Sequence, residues 1–381
     1  MAKNVLNFLS EETFIEETQR AIGYLKTIAA GVGVGYKPES NAELQELVRS
    51  GRHKSLLSIG DSITCMRKEQ KITWDIVGMD IDTPSDPQFE HSLTLVMRDP
   101  YDLIQFSAPQ AMYYAEEELP AGVYHVTPKN GWADGMGNGK TYVFTLTKPV
   151  PVGGQIVWNG VHNSDPIGYK IYTYASRTST QAIESVTPTE GSDGTELSEI
   201  NHPHRMCYGS NDYELSAMRQ IINSDAAAGS VWTPQSKYDR PPNWNTSKDG
   251  FLNGLDEEFL TIVGKTKKTT NKCRLVETGV SVTNDKFFLL SQTELYAGDV
   301  YSDSPEGSPY PYFANYSDYT SPNSGADKNR IKYWSGNPRF YYSRTPHPNY
   351  ANGVRGINAA GELNSSYAYG TYGAVLGCNI I

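Results

Sequence analysis

The stretch RFYYSRTPHPNYANGVRGINAAGELNSSYAYGTYG, residues 339–373, is rich in tyrosine, asparagine, serine and glycine and has almost no aliphatic run. Residues 301–372 hold 12 of the 26 tyrosines of the chain. Disordered segments are poor in aromatic residues, so this region is predicted to pack as part of a domain. Short strands are expected at RFYYSR, ANGVRGIN and GAVLGCNII.

The segments before this stretch predict a mixture of strands and short helices. SLLSIGDSITCM, KITWDIVGMDID and HSLTLVMRD are typical of strands, and DKFFLLS of a central, doubly buried strand. GSNDYELSAMRQIINS predicts a helix capped by Asn211 with Glu214 in its first turn. FLNGLDEEFLTIV predicts a second short helix. No alternation of strands and helices indicates a parallel sheet, so the fold class is α+β. The apolar face of the helix predicted in GSNDYELSAMRQIINS comprises Leu215, Met218, Ile221 and Ile222.

Residues 119–190 have a different sequence pattern. GVYHVTPKNG, KTYVFTLTKPV, GGQIVWNG and YKIYTYAS read as antiparallel strands separated by glycine and proline. We expect an inserted small β-sandwich or barrel that interrupts the surrounding domain.

The N-terminal segment, residues 1–54, is predicted to be helical. Ser10 is a helix cap, and the residues that follow it form a two-heptad apolar seam. That seam fits either self-association or a single helix packed on its own domain. In SNAELQELVRSG, Ser40 and Glu43 form a capping box and Gly51 ends the helix. The seam comprises Phe14, Thr18, Ala21, Leu25 and Ile28, and the second helix has the buried face Leu44, Leu47 and Val48.

Composition excludes several classes of function. The net charge is −10 and no basic run occurs, which argues against nucleic acid as a partner. No segment has the apolar length of a signal core or a membrane span. We expect synthesis in the cytoplasm without a signal peptide and no membrane insertion. The widely spaced cysteines, which predict buried thiols instead of a disulfide framework or zinc site, are Cys65, Cys207, Cys273 and Cys378.

Three short motifs resemble phosphate-binding, metal-binding or acid–base sites, but each fits a simpler structural explanation. GMGNGKT (135–141) has Asp134 where a phosphate-binding loop needs glycine, and a strand follows it, which favours a hairpin turn. HPH (202–204) has no third ligand at metal spacing. The carboxylates of DEE (256–258) point in different directions on a helix, which favours a solvated face. We therefore predict no catalytic residue, no metal site and no cofactor.

Several phrases of the chain resemble a bacteriophage and gut-bacterial domain family, DUF6273, a branch of the C-type-lectin-like fold. They are LLSIGDSI…ITWDIVGMDID, GSNDYELSAMRQIINS, DKFFLLSQTELY, NRIKYW, YYSRTP and SYAYG. The resemblance covers roughly residues 55–118 and 195–381. It implies a domain formed by residues 55–118 and 191–381, interrupted by the insertion. The usual WWLRSP-like phrase is altered, because Tyr341, Tyr342, Ser343 and Thr345 stand for Trp, Trp, Leu and Ser.

Some members of this fold are variable proteins of diversity-generating retroelements, in which adenines of a C-terminal segment are rewritten. Randomised AAY codons cannot encode Lys, Gln, Met, Trp or Glu. Residues 335–381 contain none of the first four and a single Glu, Glu362. Calcium-site tripeptides of the lectin fold (EPN, QPD, WND) are absent, so the resemblance does not imply calcium.

The resemblance implies a phage virion protein, a tail or head fibre, that binds a bacterial surface receptor, either protein or glycan. Tyr, Ser, Asn and Gly also dominate antibody binding loops, which supports a ligand-facing surface. Tyr369 and Tyr372 are instead expected to be half-buried anchors. The predicted exposed ligand-binding face comprises Tyr341, Ser343, His347, Asn349, Tyr350, Asn352, Arg355, Asn358, Asn364, Ser366 and Tyr367. Below it we expect a scaffold of Val354, Ile357, Leu363 and Val375, with turns at Gly353, Gly356 and Gly361.

Two other functions remain open. The chain could be a structural or decoration protein that contacts other virion proteins, or a polysaccharide-degrading enzyme, although no paired carboxylates can be placed in a cleft. For the fibre reading we expect a location at the virion surface, contacts with other virion proteins through the N-terminus, and a homotrimer.

Overall fold

The computed structural model describes residues 36–108, 113–127, 141–160, 169–176, 179, 181–197, 211–235, 241–274, 278–295, 306–313, 328–349 and 353–381. The seam from Phe14 to Ile28 lies outside the described residues, so the predicted oligomerisation stays a prediction. With 12% helix and 39% strand, the fold fits the α+β class loosely, because strands form most of the architecture.

The elements are as follows in chain order. The helices are α1 Asn41–Arg49, α2 His53–Leu56, α3 Ala217–Ile222 and α4 Glu257–Ile262, and single 3-10 turns lie at Pro311–Phe313 and Lys328–Arg330. The strands are β1 Ser62–Arg67, β2 Gln70–Met79, β3 Leu93–Met97, β4 Leu103–Gln105, β5 Tyr113–Tyr114, β6 Gly122–Val126, β7 Tyr142–Leu146, β8 Gln155–Gly160, β9 Tyr169–Tyr174, β10 Ala182–Val186, β11 Thr189–Glu190, β12 Thr195–Glu196, β13 Val263–Gly264, β14 Thr266–Asn271, β15 Val280–Asp285, β16 Phe287–Leu289, β17 Lys332–Trp334, β18 Asn337–Arg339, β19 Tyr341–Pro346, β20 Gly353–Ile357, β21 Leu363–Tyr367, β22 Thr371–Gly373 and β23 Leu376–Ile380.

Two sheets share the main core. The first has the order β1-β2-β3-β23-β13, with β16 also paired to β23, and the second has the order β21-β20-β19-β22-β4. β23 pairs with β3 over Leu93 to Val96, so the chain end completes a sheet begun near residue 62. One continuous hydrophobic cluster contains buried side chains of both sheets together with those of α1, α3 and α4. The early strands and the C-terminal region therefore form a single packed unit.

The segment between these parts has a core of its own. Its strands form two four-stranded sheets, ordered β10-β9-β8-β5 and β11-β7-β6-β12. A second hydrophobic cluster includes Ile156 and Ile171 from the first sheet and Tyr124 and Phe144 from the second. The four predicted strands are confirmed, and the two sheets pack as a sandwich. This core extends from Ala115 to Leu197, beyond residues 119–190 at both ends. Whether it is an independent module stays a prediction.

Helix α1 begins and ends as the sequence predicts. The Ser40 hydroxyl accepts a hydrogen bond from the Glu43 amide at 3.1 Å, which satisfies one free amide of the first turn. Gly51 follows the helix with φ +70°, a conformation that costs glycine little. Gln45 on α1 donates to the terminal carbonyl of Ile381 at 2.9 Å. The helix is therefore fastened to the chain end, and its face of Leu44, Leu47 and Val48 is buried.

Two predicted elements need correction. The helix expected to begin at Asn211 begins at Ala217, because the Ser216 hydroxyl caps it by accepting from the Arg219 amide at 3.1 Å. Met218, Ile221 and Ile222 are buried as predicted, whereas Leu215 precedes the helix and is half-buried. The strand expected to be central, β16, is fully buried but pairs only with β23 among the described strands.

Candidate functional site

Strand β19 carries two predicted site residues, Tyr341 and Ser343, into the interior. Each side chain is 1% exposed. Tyr341 lies opposite Ile357 of β20 and opposite Gly373 of β22, while the Ser343 hydroxyl donates to the Arg355 carbonyl at 2.9 Å. The prediction that these two side chains are exposed is wrong. β19 has a partner strand on each side, and all six of its residues are buried, so both of its faces are covered.

Arg344, the next residue of β19, is the centre of a buried polar network that the sequence did not reveal. Its guanidinium binds both carboxylate oxygens of Glu294, with one contact at 2.9 Å. It also donates to the carbonyls of Leu289 at 2.9 Å and Glu306 at 2.7 Å. Such charged hydrogen bonds are stronger than neutral ones. The signal in the sequence is an arginine within a strand segment. Where such a strand is buried, the charge needs partners, which indicates a network of this kind.

Lys268 extends this network toward the first sheet. Its ammonium donates to Glu294 at 2.8 Å and to the Tyr310 hydroxyl at 2.7 Å, and it pairs with Asp82. Asn379 of β23 donates to Asp82 at 2.9 Å. The network therefore joins β19, β14 and β23. Because its charged groups are all nearly or fully buried, we assign it to holding the fold and not to chemistry on a ligand.

Burial and neighbouring charges together shift the pKa values of the groups in this network. Burial alone would lower the pKa of Arg344, but Glu294 and Glu306 raise the pKa of that guanidinium above its ordinary value. Burial alone would raise the pKa of Asp82, but Lys268 lowers it below its ordinary value. Burial raises the pKa of Glu306, although Arg344 and Thr345 partly oppose the shift. The network thus balances charges that could not be buried singly.

The hairpin of β20 and β21 carries most of the remaining predicted residues. Arg355 lies opposite Ser365, and Tyr367 lies opposite Gly353, whereas Asn364 lies opposite Gly356. Because opposite residues project to the same face and successive residues alternate, Arg355 and Tyr367 share one face. Asn364 and Ser366 project to the other face. The expectation of a single face is therefore wrong, since a strand cannot turn consecutive side chains the same way.

Exposure along the hairpin is moderate. Asn364 is exposed, and the side chains of Arg355, Ser366 and Tyr367 are half-buried. β21 is an outer strand of its sheet in the described part of the chain. Val354, Ile357 and Val375 are buried as predicted, whereas Leu363 is only half-buried. Ile357 and Leu363 project to the same face as Arg355, so they do not lie below that face as expected.

The turn between these strands is organised by Asn358. Its side-chain oxygen Oδ1 accepts from the amides of Ala360 at 2.9 Å and Glu362 at 3.0 Å, as asparagine commonly does in turns. Gly361 follows with φ +82°. Asn358 is half-buried and has a structural role. Gly353 and Gly356 lie inside β20 instead of in turns. At Gly356 a Cβ atom would stand 2.3 Å from the Tyr341 carbonyl.

The loop between β19 and β20 is fastened at its base. The His347 amide donates to the Gly353 carbonyl at 2.9 Å. The buried amide of Asn211 donates to the same Gly353 carbonyl at 2.8 Å and to the His347 carbonyl at 3.3 Å. The Cys273 thiol donates to the Pro348 carbonyl at 3.6 Å. Asn211, which we predicted to cap a helix, instead clamps the two ends of this loop.

His347 is buried at the loop base, contrary to its predicted exposure. Its ring Nδ1 accepts a hydrogen bond from the Asn349 amide at 3.1 Å, which requires an unprotonated nitrogen. Burial, assisted by the positive charge of Arg355, lowers the pKa of His347 to about 4. Asn349 itself is exposed. The loop therefore presents Asn349 to solvent beside a neutral histidine and a cationic arginine.

A pair of tyrosines closes the end of β21. The rings of Tyr367 and Tyr369 stack with centroids 5.1 Å apart and an interplanar angle of 15°. Below them, the buried Tyr342 hydroxyl donates to the Tyr367 carbonyl and, at 2.9 Å, to the Gly370 carbonyl. Tyr369 packs on the core of the sandwich. Tyr369 and Tyr372 are half-buried anchors, as predicted.

Other predictions have mixed outcomes. Tyr350, Asn352, Cys207, HPH (202–204) and residues 135–140 of GMGNGKT lie outside the described residues. Asp256 caps α4 by accepting from the Phe259 amide at 3.1 Å, and Glu257 and Glu258 are exposed, so the solvated-face reading of DEE is confirmed. Cys65, Cys273 and Cys378 are buried thiols, as predicted.

Two further observations concern function. Within the described residues, no three His, Cys, Asp or Glu side chains are arranged to hold a metal ion. None of the helices described has the length and apolar character needed to cross a bilayer.

Comparison with known proteins identifies one family. The model of the family "Domain of unknown function (DUF6273)" matches residues 184–380, which is slightly more than half of the chain. The chain belongs to the DUF6273 family. No curated protein and no solved structure matches it.

The DUF6273 match begins inside strand β10 and ends with β23, so it includes the Arg344 network partners Lys268 and Glu294, the Asn211 clamp and the β20–β21 hairpin. The strands β1 to β3 lie before the match. They nevertheless pair with β23 in one sheet, so the packed unit extends beyond the DUF6273 segment.

Proposed function

We propose that this chain is a phage virion protein, a tail or head fibre subunit, whose DUF6273 region has a C-type-lectin-like arrangement and binds a bacterial cell-surface receptor. The proposed contact area is the recognition surface, defined as Asn349, Arg355, Ser365, Tyr367 and Tyr369. It differs from the sequence prediction because buried residues are removed and the register of β20 and β21 is applied.

The observation that carries the proposal is the contrast between this surface and its support. The Asn211 amide clamps the loop base, and the Tyr342 hydroxyl fastens the end of β21. Over this support the side chains of Arg355, Ser365 and Tyr367 are only half-buried. A surface held rigidly from below loses little conformational entropy on binding, which favours affinity. Tyrosine and arginine are also enriched among residues that dominate binding energy.

Attachment of the full chain to cells tests this proposal. Fluorescently labelled protein is incubated with a panel of bacterial isolates, and binding is measured by flow cytometry. We expect the double variant Tyr367→Ala/Asn349→Ala to lose attachment to the isolate that the unmodified chain binds. The matched control is Tyr333→Ala/Asn337→Ala on the β17–β18 hairpin, where both side chains are exposed. Equal attachment of the two variants, both folded, would place the contact elsewhere.

A genomic observation tests the diversification part of the proposal. A near-copy of the DNA encoding residues 335–375, beside a reverse-transcriptase gene and differing only at adenines, supports rewriting of this segment. If the differences fall at other bases, or if they concentrate in codons of the buried strand β19, the segment is not a diversified recognition surface. Buried positions such as Tyr341 tolerate few side chains.

A further inference from the structure

The chemistry of the recognition surface points to one class of ligand. Arg355 and Tyr367 project to the same face of the β20–β21 hairpin and are diagonal neighbours, because Arg355 lies opposite Ser365, two residues before Tyr367. Diagonal neighbours in an antiparallel pair are about 7–8 Å apart. Long and aromatic side chains at diagonal positions are within reach of each other, so one ligand unit can contact both the guanidinium and the aromatic ring.

Arg355 places a positive charge at this surface, although the whole chain carries −10. Arg355 lowers the pKa of the neighbouring His347, and among the described residues no carboxylate raises it. His347 is neutral at physiological pH, so Arg355 supplies the positive charge. An acidic ligand group placed beside Arg355 is attracted by that charge.

The tyrosine pair supplies a fixed platform beside this charge. Tyr369 covers one face of the Tyr367 ring at 5.1 Å and is itself packed on the core of the sandwich. The Tyr342 hydroxyl holds the backbone on both sides of the pair. An aromatic ring held in this way presents an apolar surface with a polar hydroxyl at its rim. Ser365 projects to the same face, opposite Arg355 and two residues before Tyr367.

We infer that the ligand is an acidic glycan of the uronic acid type, with its carboxylate on Arg355 and its sugar ring against Tyr367. This inference rests on the proposed function. A carboxylate pairs bidentately with the planar guanidinium. In a uronic acid the carboxylate is attached directly to the ring, which suits two side chains that are diagonal neighbours on one face. A polyol phosphate offers the charge but has no sugar ring to lie against Tyr367.

The test uses the full chain and defined probes. Binding to oligogalacturonate, to its neutral methyl ester and to poly(glycerol phosphate) is measured by biolayer interferometry. We expect oligogalacturonate to bind about tenfold or more tightly than the methyl ester, since a charged hydrogen bond is lost in the ester. Arg355→Gln should lose that preference. The control Arg339→Gln, an exposed arginine on β18, should keep it.

The possible outcomes distinguish failure of the uronic acid inference from failure of the proposed function. If the chain attaches to cells but binds the ester as well as the acid, or prefers poly(glycerol phosphate), the uronic acid inference is overturned while receptor binding stands. If neither cells nor probes are bound, both fail. Should Arg355→Gln not fold, Arg355→Lys replaces it, because it keeps the charge but loses the bidentate fork and should weaken acid binding by less than Gln would. Competition of cell attachment by oligogalacturonate but not by its ester then supports the inference, and equal competition contradicts it.

Discussion

Arg344 and Glu294 form a two-point ion pair that solvent does not reach, with exposed side-chain fractions of 0% and 1%. The pair connects strand β19 to the segment after β16. Arg344 belongs to β19, the strand that leads into the loop at His347. We therefore expect the position of the loop base to depend on the pair remaining intact.

Removing one partner of this pair should be severely destabilising. We expect Arg344→Met to lower the free energy of unfolding by about 3–5 kcal/mol, because Glu294 is left buried beside fewer donors. Urea unfolding followed by tryptophan fluorescence measures the change. The double variant Arg344→Met/Glu294→Leu should recover part of the loss. The control Arg339→Met, at an exposed position, should stay within about 0.5 kcal/mol. A loss for Arg344→Met as small as the control would show that the pair does not support the fold.

Burial separates positions that the sequence placed in one group. Tyr341→Ala should destabilise by about 3–5 kcal/mol, because a large side chain 1% exposed is deleted from the core. Asn364→Ala/Ser366→Ala should change stability by only about 0.5 kcal/mol per site, since Asn364 is exposed and Ser366 is half-buried. Thermal or chemical denaturation of both variants checks the contrast. Similar losses in the two variants would contradict the assigned register of β19 to β21.

His347 makes stability depend on pH in a defined window. Its pKa is about 4 in the fold, against 6.5 for an ordinary histidine. The unfolded chain therefore binds more protons between these values, so stability falls as the pH is lowered from about 6.5 to about 4. The full effect of this shift is about 3 kcal/mol. His53 is also buried with a lowered pKa. The contribution of His347 is therefore measured as the difference in pH dependence of stability between the unmodified chain and a His347 variant.

The matched variant for this effect is His347→Asn. The asparagine oxygen can replace the ring nitrogen that accepts from the Asn349 amide, but it does not titrate in this range. Unfolding free energies at pH 7.0 and pH 4.5 should differ less for His347→Asn than for the unmodified chain. An unchanged pH dependence would mean that His347 does not carry the charge difference.

The sandwich should be removable as a unit. Its core extends from Ala115 to Leu197, so an excision should replace residues 111–199 with a short Gly/Ser bridge, since a cut at 119 and 190 would leave β5 and β12 without partners. We expect the remainder to unfold cooperatively. Loss of all folded protein would contradict the prediction. Tyr369 loses its contact in this variant, so the recognition surface is expected to bind more weakly.

Residues 1–50 are predicted to drive association into a homotrimer through the seam from Phe14 to Ile28. Truncation before residue 36 tests this without removing α1, whose Leu44, Leu47 and Val48 are buried. A chain that begins at residue 52 would instead lose part of the core. Light scattering should give a trimer mass for the full chain and a monomer mass for the truncated chain. Identical masses would show that the N-terminal seam is not the interface.

The sequence determined the local elements and the family of this protein. Ser40, Gly51 and the buried face of α1 act as their residue types predict, because capping and amphipathic spacing are local. The strands of the sandwich and the strands β19, β20 and β23 were likewise recognisable from their alternation and turns. The DUF6273-like phrases within residues 195–381 lie in the segment 184–380 that the family model matches, whereas LLSIGDSI…ITWDIVGMDID lies before that segment.

Only the tertiary structure decided which face each residue occupies. Tyr341 and Ser343 resemble surface residues by type, but β19 lies between two strands and is covered on both faces. Asn211 has the sequence of a helix cap, yet it clamps a loop 136 residues away from it in the chain. Pairing partners distant in sequence set both outcomes, and local propensity carries no information about them.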